Sequence, residues 1–339
     1  MNETVFVRMG KAIEIKVVPE MANVKYLYDR AELLRMTRRF FDDRGFMEVQ
    51  PPCLSRDCVV DAYLDPLSVD VKELGITDPR LPDRFYLQTS PESAMKRLLS
   101  NGAPSIYSLG PVFRGGEMGE LHNVEFTMLE WYQVGGDANS AIALSGDFVS
   151  DVLNADGYDL ITYREAFIKF LDIDPLEVPI RELATLVPFG RAAMADTIDS
   201  DRDSLLDILL SQSIAPNLGF DRPLVLTEYP LSQAALAKRS SIDQECAARF
   251  ELFVKGVEIA NGYDELLDPN EMKNRFDEQN RKRQDSGRRP LATDSTLLHA
   301  MRRGLPECSG VALGIDRLLM LRVGAKQIQD VIPFSIWEA

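Results

Sequence analysis

Phe113-Arg114-Gly115-Gly116-Glu117-Met118-Gly119-Glu120-Leu121-His122-Asn123-Val124-Glu125-Phe126-Thr127-Met128-Leu129-Glu130-Trp131-Tyr132 is the stretch on which the fold turns. An apolar run (Ile106, Tyr107, Leu109, Val112, Phe113) leads into Arg114, and a loop with two glycines and a histidine follows. Phe126, Met128 and Glu130 then recur with period 2. This predicts a β-hairpin with a functional arginine on its first strand and carboxylates on its second. An ordinary surface hairpin seldom carries Arg, His, Asn and two Glu so densely among aromatics.

Downstream, Phe250–Ile259 reads as a strand interrupted at Lys255-Gly256, and Glu251, Glu258 and Glu265 recur every seven residues. On a regular strand an odd separation sets two side chains on opposite faces. A bulge at Gly256 would bring Glu251 and Glu258 onto one face, where two carboxylates could share a divalent cation. Gly310-Val311-Ala312-Leu313-Gly314 then runs as a strand straight into an apolar helix, Ile315 to Leu321, with Arg317 in its first turn. An arginine there must reach water or an anion.

Upstream, a helix is predicted from Lys25 to about Asp43, with Leu33, Met36 and Phe40 on one stripe and Gly45 ending it. Phe46-Met47-Glu48-Val49-Gln50-Pro51-Pro52 is extended, and its two prolines cannot donate to a ladder, which puts it at a sheet edge or an interface. Ser90-Pro91-Glu92 predicts a helix start with serine as N-cap, proline at N1, and Met95, Leu98 and Leu99 facing inward. Other expected helices cover Ala141–Leu153, Tyr163–Phe170, Ser204–Leu210 within a helical insertion at 171–220, the stretch after Asp268, and Ser295–Arg303. Arg281-Lys282-Arg283 is assigned to a solvated face, and residues 60–84 to loop. One domain, 25–339, follows an N-terminal arm of residues 1–24, in which Val5–Val7 and Ala12–Val18 could pair.

The 339 residues are 45% hydrophobic and 27% charged, which suits a globular chain with a sizeable core. A net charge of −15 argues against broad binding of a phosphate backbone. No apolar run approaches the roughly 20 residues that cross a bilayer, and the first residues lack the pattern of a signal peptide. A cytoplasmic protein without membrane contact is expected. Cys53, Cys58, Cys246 and Cys308 show no Cys-x-x-Cys spacing, so buried thiols are expected instead of zinc. Phosphate-loop, dinucleotide and nucleophile-elbow motifs are absent. Arginines and carboxylates near glycine remain, the chemistry that holds a nucleoside triphosphate through arginine and a carboxylate-bound metal.

In this order the pieces resemble the three signature motifs of class II aminoacyl-tRNA synthetases. Gly45–Pro52 resembles motif 1, the dimer-interface strand ending in proline; Phe113–Tyr132 resembles motif 2, and Gly310–Leu321 motif 3. The lysine-specific branch is the best match, through His122-Asn123-x-Glu125-Phe126-Thr127-Met128-Leu129-Glu130-Trp131-Tyr132 and Glu258-Ile259-Ala260-Asn261-Gly262-Tyr263-x-Glu265-Leu266. The resemblance implies an α+β fold, an antiparallel β-sheet flanked by helices, and a homodimer. Lysyl-tRNA synthetases carry an N-terminal OB-fold that reads the anticodon; here the motifs begin at residue 45, leaving no room for it, and no anticodon recognition is expected. The truncated plan, with Ser90-Pro91-Glu92, Gln233-Ala234-x-Leu236-Ala237 and Pro306–Gly314, is similar to the PoxA/GenX/EpmA family. Its members activate lysine, preferably (R)-β-lysine, with ATP and attach it to a lysine of translation elongation factor P.

The resemblance also implies roles. Arg114 and Arg317 would be catalytic, the first neutralising the α-phosphate and substrate carboxylate, the second binding the γ-phosphate and covering the adenine opposite Phe126. Gly116, Glu117, His122, Asn123, Glu258, Ile259 and Gly314 would complete the ATP site, and Glu251 with Glu258 would hold Mg²⁺. Ser90, Pro91, Glu92, Glu130, Tyr132, Asn261, Glu265 and Ala312 would form the amino-acid pocket, rich in acceptors and with no cation of its own, the right sign for a diamino acid. Ala312 stands where lysyl-tRNA synthetases usually have glycine. Motif 2 normally reads Arg-x-Glu; here Gly115-Gly116 follows Arg114, and Glu117 takes over if the glycine pair shifts the loop by one residue. Two alternatives accompany this reading. One is a stand-alone activator that charges tRNA or another carrier; the other is a non-catalytic binding paralogue, favoured only by Gly116.

Overall fold

Alternation along four strands decides where the core lies and where the site lies. In a computed structural model describing residues 24–187 and 201–339, helix α1 (Val24–Asp42) leads to the short strand β1 (Met47–Glu48). Strands β2 (Leu54–Ser55), β3 (Ser68–Asp70) and β4 (Arg84–Leu87) form a small separate sheet, and α2 (Glu92–Ser100) follows. The central hairpin is β5 (Ile106–Phe113) and β6 (Glu125–Val134). Next come α3 (Ala138–Leu153), β7 (Asp159–Thr162), α4 (Tyr163–Leu171), α5 (Ile180–Leu186) and α6 (Arg202–Leu209). The chain returns through β8 (Leu224–Pro230), β9 (Cys246–Val254) and β10 (Val257–Asp264), then α7 (Pro269–Asp285) and α8 (Thr296–Arg303). It closes with β11 (Cys308–Gly314) running directly into α9 (Ile315–Val323). The suggested pairing of Val5–Val7 with Ala12–Val18, and part of the 171–220 insertion, lie outside the described residues.

The large sheet has the order β1-β5-β6-β11-β10-β9-β8-β7. Its central pairs are antiparallel, and only the outer pairs, β1 with β5 and β7 with β8, are parallel. On one face Leu129, Trp131, Val311, Leu313, Phe250, Leu252 and Ala260 pack into a single core with residues of α1, α3 and α9. Their neighbours along the strands, Met128, Glu130, Tyr132, Gly310, Ala312, Glu251 and Asn261, line a cavity. The two-residue period of a strand thus separates greasy core from polar site. Phe41 anchors α1 to the sheet, its ring stacked 5.1 Å from Tyr107 and tilted 5.1 Å from Trp131. Each such buried aromatic contributes about 2–3 kcal/mol by burial.

The α+β class and the antiparallel sheet flanked by helices hold, and several local expectations are corrected. Lys255-Gly256 does not interrupt one strand: with φ of 49° and 79° it forms the two-residue turn joining β9 to β10, with Val254 opposite Val257. The irregularity lies instead between Glu258 and Ala260. Glu251 and Glu258 therefore reach the cavity from neighbouring strands. Helix α2 starts one residue later than its serine cap would place it, although Ser90 Oγ still accepts from the Glu92 N–H at 3.4 Å; Leu98 faces solvent. Arg283 is buried, not solvated: it donates to the carbonyls of Asp61 and Leu64, both at 2.8 Å, and pairs with Asp65. The 60–84 stretch contains β3. Cys246 and Cys308 are buried and Cys53 and Cys58 only half-buried; burial pushes the thiols of Cys58, Cys246 and Cys308 up to about 12. Among the described residues no helix is long and apolar enough to cross a membrane.

Candidate active site

The cavity has a volume of about 810 Å³, and all but two of the expected site residues line it. Those two are Gly116 and Pro91. Its polar floor is built by α2, β6 and the end of β10. Glu130, on β6, is buried; its carboxylate accepts from the Tyr132 hydroxyl at 2.8 Å. Burial, with Glu92 nearby, pushes Glu130 up to about 8. Glu265 is 1% exposed and Glu92 8%, and between them lies Lys96, fully buried. Lys96 Nζ pairs with Glu92 and sits 2.5 Å from Glu265 Oε2. Lys96 does not line the cavity, but it stands behind its carboxylates, so the acceptors expected to have no cation are in part neutralised by one. Burial opposes the charge on Lys96, but Glu265 and Glu92 outweigh it and raise its pKa. Among the described residues Glu130 Oε2, Glu265 Oε1 and Asn261 Oδ1 are buried without a hydrogen-bond partner, an arrangement that asks for a donor.

At the other end stand two arginines. Arg114 leaves β5 with its backbone N–H on the Val124 carbonyl at 2.9 Å. Its Nε donates to the Thr89 carbonyl at 3.3 Å, and its guanidinium lies 5.1 Å from the Phe126 ring centre. Gly115 donates to the Asp65 carbonyl at 2.8 Å, and a Cβ there would sit 2.9 Å from that oxygen, too close for any other residue. Gly116 has a φ of 80°, which suits glycine. The glycine pair thus shapes the loop, and Glu117 enters the cavity with its carboxylate 3.7 Å from Arg114.

Arg317 projects from the first turn of α9. It donates to the carbonyls of Glu258 at 2.9 Å and Leu121 at 3.2 Å, and its Nη2 is 2.6 Å from His122 Nε2. Burial and Arg317 lower the pKa of His122, so a neutral ring accepts this contact. Its neighbour Asp316 is buried and holds both Arg30 of α1 and the Thr127 N–H of β6, the latter at 2.6 Å. That network fixes the start of α9, and with it Arg317. Asn123 ties the loop down, donating to the Glu125 carbonyl at 2.7 Å and accepting from the Ile336 N–H at 3.2 Å.

Glu251 and Glu258 face the cavity between the two ends. Burial and the Glu258 charge raise the pKa of Glu251, while Arg249 beside it opposes them. Arg249 Nη2 takes one oxygen of Glu251 at 2.6 Å, a pairing that the spacing of the glutamates did not suggest. Two carboxylates on facing strands form a hard-oxygen donor set that suits a divalent cation such as Mg²⁺. Two local signals could have found the overlooked cations. Lys96 lies four residues after Glu92 on a helix, and Arg249 two before Glu251 on a strand.

The sequence model of the family described as "tRNA synthetases class II (D, K and N)" matches residues 15–338. The chain is 42% identical over 321 residues to a protein of Pectobacterium atrosepticum named elongation factor P--(R)-beta-lysine ligase, covering 94% of this chain and 97% of that protein. A Yersinia enterocolitica protein of the same name is 41% identical over 94% of the chain and 97% of its own length. One from Enterobacter sp. is 42% identical over 93% and 96%.

Proposed function

The chain belongs to the class II tRNA synthetases (D, K and N), and on that premise we propose that it activates lysine, as the (R)-β isomer, with ATP and passes it to a lysine of translation elongation factor P. The observation that carries this reading is the trio of buried carboxyls, Glu92, Glu130 and Glu265, closing the same cavity that Arg114 and Arg317 enter. Acidic groups at one end suit the amino groups of a diamino acid; arginines at the other suit its carboxylate and a triphosphate. The relatives bearing the ligase name support the acceptor and the β isomer. Modification of a translation factor assigns the work to the cytoplasm, and the exposed edge at β1 is the proposed homodimer contact.

In the first half-reaction a substrate carboxylate oxygen attacks the α-phosphorus of ATP. The bond to pyrophosphate breaks, and an acyl-adenylate forms. Arg114 meets charge as it builds on the α-phosphate, and Arg317 holds the outer phosphates in line. Glu251 and Glu258 would hold Mg²⁺, which supplies charge neutralisation at the phosphates. Phe126 and Arg317 would bracket the base, and Glu117 would read its amino group. In the second half-reaction the neutral amine of the acceptor lysine attacks the carbonyl carbon, the bond to AMP breaks, and the amine loses a proton. Glu117 in the cavity weighs against the binding-paralogue alternative, which rested on Gly116.

ATP–pyrophosphate exchange tests the activation step, with Mg²⁺ and either (R)-β-lysine, α-lysine or aspartate, and no tRNA. Exchange is expected with a lysine isomer, the β isomer faster, and none with aspartate. Silence with both isomers would remove the enzymatic reading. The pocket floor offers a second check at Gly310, where an added Cβ would collide with the Glu265 carboxylate and the Tyr132 ring. Gly310→Ala is expected to weaken lysine binding by about tenfold or more, an overpacking cost of about 1–3 kcal/mol, while the KM for ATP stays near wild type.

A further inference from the structure

Lys96 has no solvent exposure, yet nothing in the chemistry above uses it. Burying an ammonium costs hydration and side-chain entropy. As a device for stability alone it is a poor choice, because apolar residues of similar volume often do as well. Its surroundings suggest another purpose. Glu92 reaches it from the same face of α2, Glu265 from beyond β10, and the Tyr132 ring lies 5.8 Å from its Nζ. Each carboxylate gives an oxygen to Lys96. Glu265 Oε1 is left as a buried acceptor without a partner, and Glu130 Oε2 is likewise buried and unpartnered.

We propose that Lys96 is a positioning and specificity-determining residue: it fixes Glu92 and Glu265 as a charged pair and leaves their free oxygens for the substrate's amino groups. The proposal rests on the lysine-activation reading above. With both carboxyls ionised, Glu92, Glu265 and Lys96 together carry one net negative charge; burial holds Glu265 up at about 7, so that state fills as the pH rises through neutrality, and Glu130 adds no charge until its proton leaves at about pH 8. A distal ammonium cancels that charge, whereas an amino acid with a neutral side chain leaves it buried and uncompensated.

Titration gives the proposal a distinctive signature. Glu265 is faced by Lys96 and Glu92 from α2, by Glu130 and Tyr132 from β6, by Tyr263 and Asp264 from β10, and by Cys308 from β11; Lys238 pairs with Asp264 at 2.8 Å. Burial raises the Glu265 carboxyl, and Lys96 is the main influence pulling it down. Without Lys96 the carboxyl titrates higher, so at neutral pH a proton occupies the place meant for the substrate's ammonium.

The test is the KM for (R)-β-lysine in ATP–pyrophosphate exchange at pH 7 and pH 9, for wild type, Lys96→Met and Lys96→Arg. Relative to wild type, Lys96→Met is expected to raise this KM about tenfold or more at pH 7, one pKa unit of proton competition being worth tenfold. The ratio should shrink towards pH 9, with the KM for ATP little changed, and Lys96→Arg should keep the wild-type pH dependence. Should the methionine variant fail to fold, Lys96→Gln, whose amide still donates to a carboxylate, carries the same expectation. A KM ratio that is equal at both pH values, or a ratio of one, overturns the role of Lys96. Wild-type protein that exchanges with neither lysine isomer overturns instead the function on which the proposal rests.

Discussion

Arg114→Ala is expected to lower the rate of ATP–pyrophosphate exchange by about 10²–10³, the loss of about 3–4 kcal/mol that accompanies removal of one preorganised donor from a developing oxyanion. The geometry makes this loss hard to replace. Arg114 is aimed by the Thr89 carbonyl below and the Phe126 ring beside it, and its backbone is clamped to Val124 while Gly115 docks on Asp65. The cost should fall mainly on kcat, since the charge it meets grows only as the α-phosphorus is attacked. Arg114→Lys should recover little, because a point charge on a flexible stem does not reproduce a planar fork. A variant with normal kcat and only a raised KM would move Arg114 from transition-state stabilisation to simple binding.

Arg317→Ala should lower kcat/KM for ATP by a similar factor, about 10²–10³, but chiefly through KM, as expected of a residue proposed to bind the outer phosphates and the base. Two carbonyls and a neutral His122 hold the guanidinium, so its position does not depend on the nucleotide. The folded state should survive the change. The Arg30–Asp316–Thr127 network that fixes α9 lies one residue away and is untouched. Thermal melting near the wild-type temperature, together with the rise in KM, is the expected pair of results.

What the sequence made legible was periodic or local. The alternation through Phe126, Met128 and Glu130 predicts β6 and the face it presents to the cavity. The apolar stripe of Leu33 and Phe40 predicts α1, and the prolines after Glu48 predict an edge, where β1 lies. Roles for individual side chains came from the resemblance, and the fold gathers nearly all of those residues into one cavity. Two of the misreadings share a cause, which is pairing across the fold. Lys96 drew no expectation because its second partner, Glu265, is far along the chain. Arg283 looked solvated because the carbonyls it serves belong to residues 61 and 64. Lys255-Gly256 was read as a bulge because lysine is an uncommon left-handed turn residue, so the hairpin signal was weak. Separating β9 from β10 corrected the route by which Glu251 and Glu258 meet, though both still face the cavity.

The central claim, transfer of an activated lysine to a protein, is tested most directly by the intact mass of elongation factor P. The factor is incubated with this protein, ATP, Mg²⁺ and (R)-β-lysine, and its mass is compared with a control lacking ATP. The account predicts a gain of one lysyl residue, located by fragmentation on a single lysine side chain and absent with the Arg114→Ala variant. An unmodified elongation factor P, from a reaction in which the same preparation performs ATP–pyrophosphate exchange and aminoacylates tRNA, would contradict it.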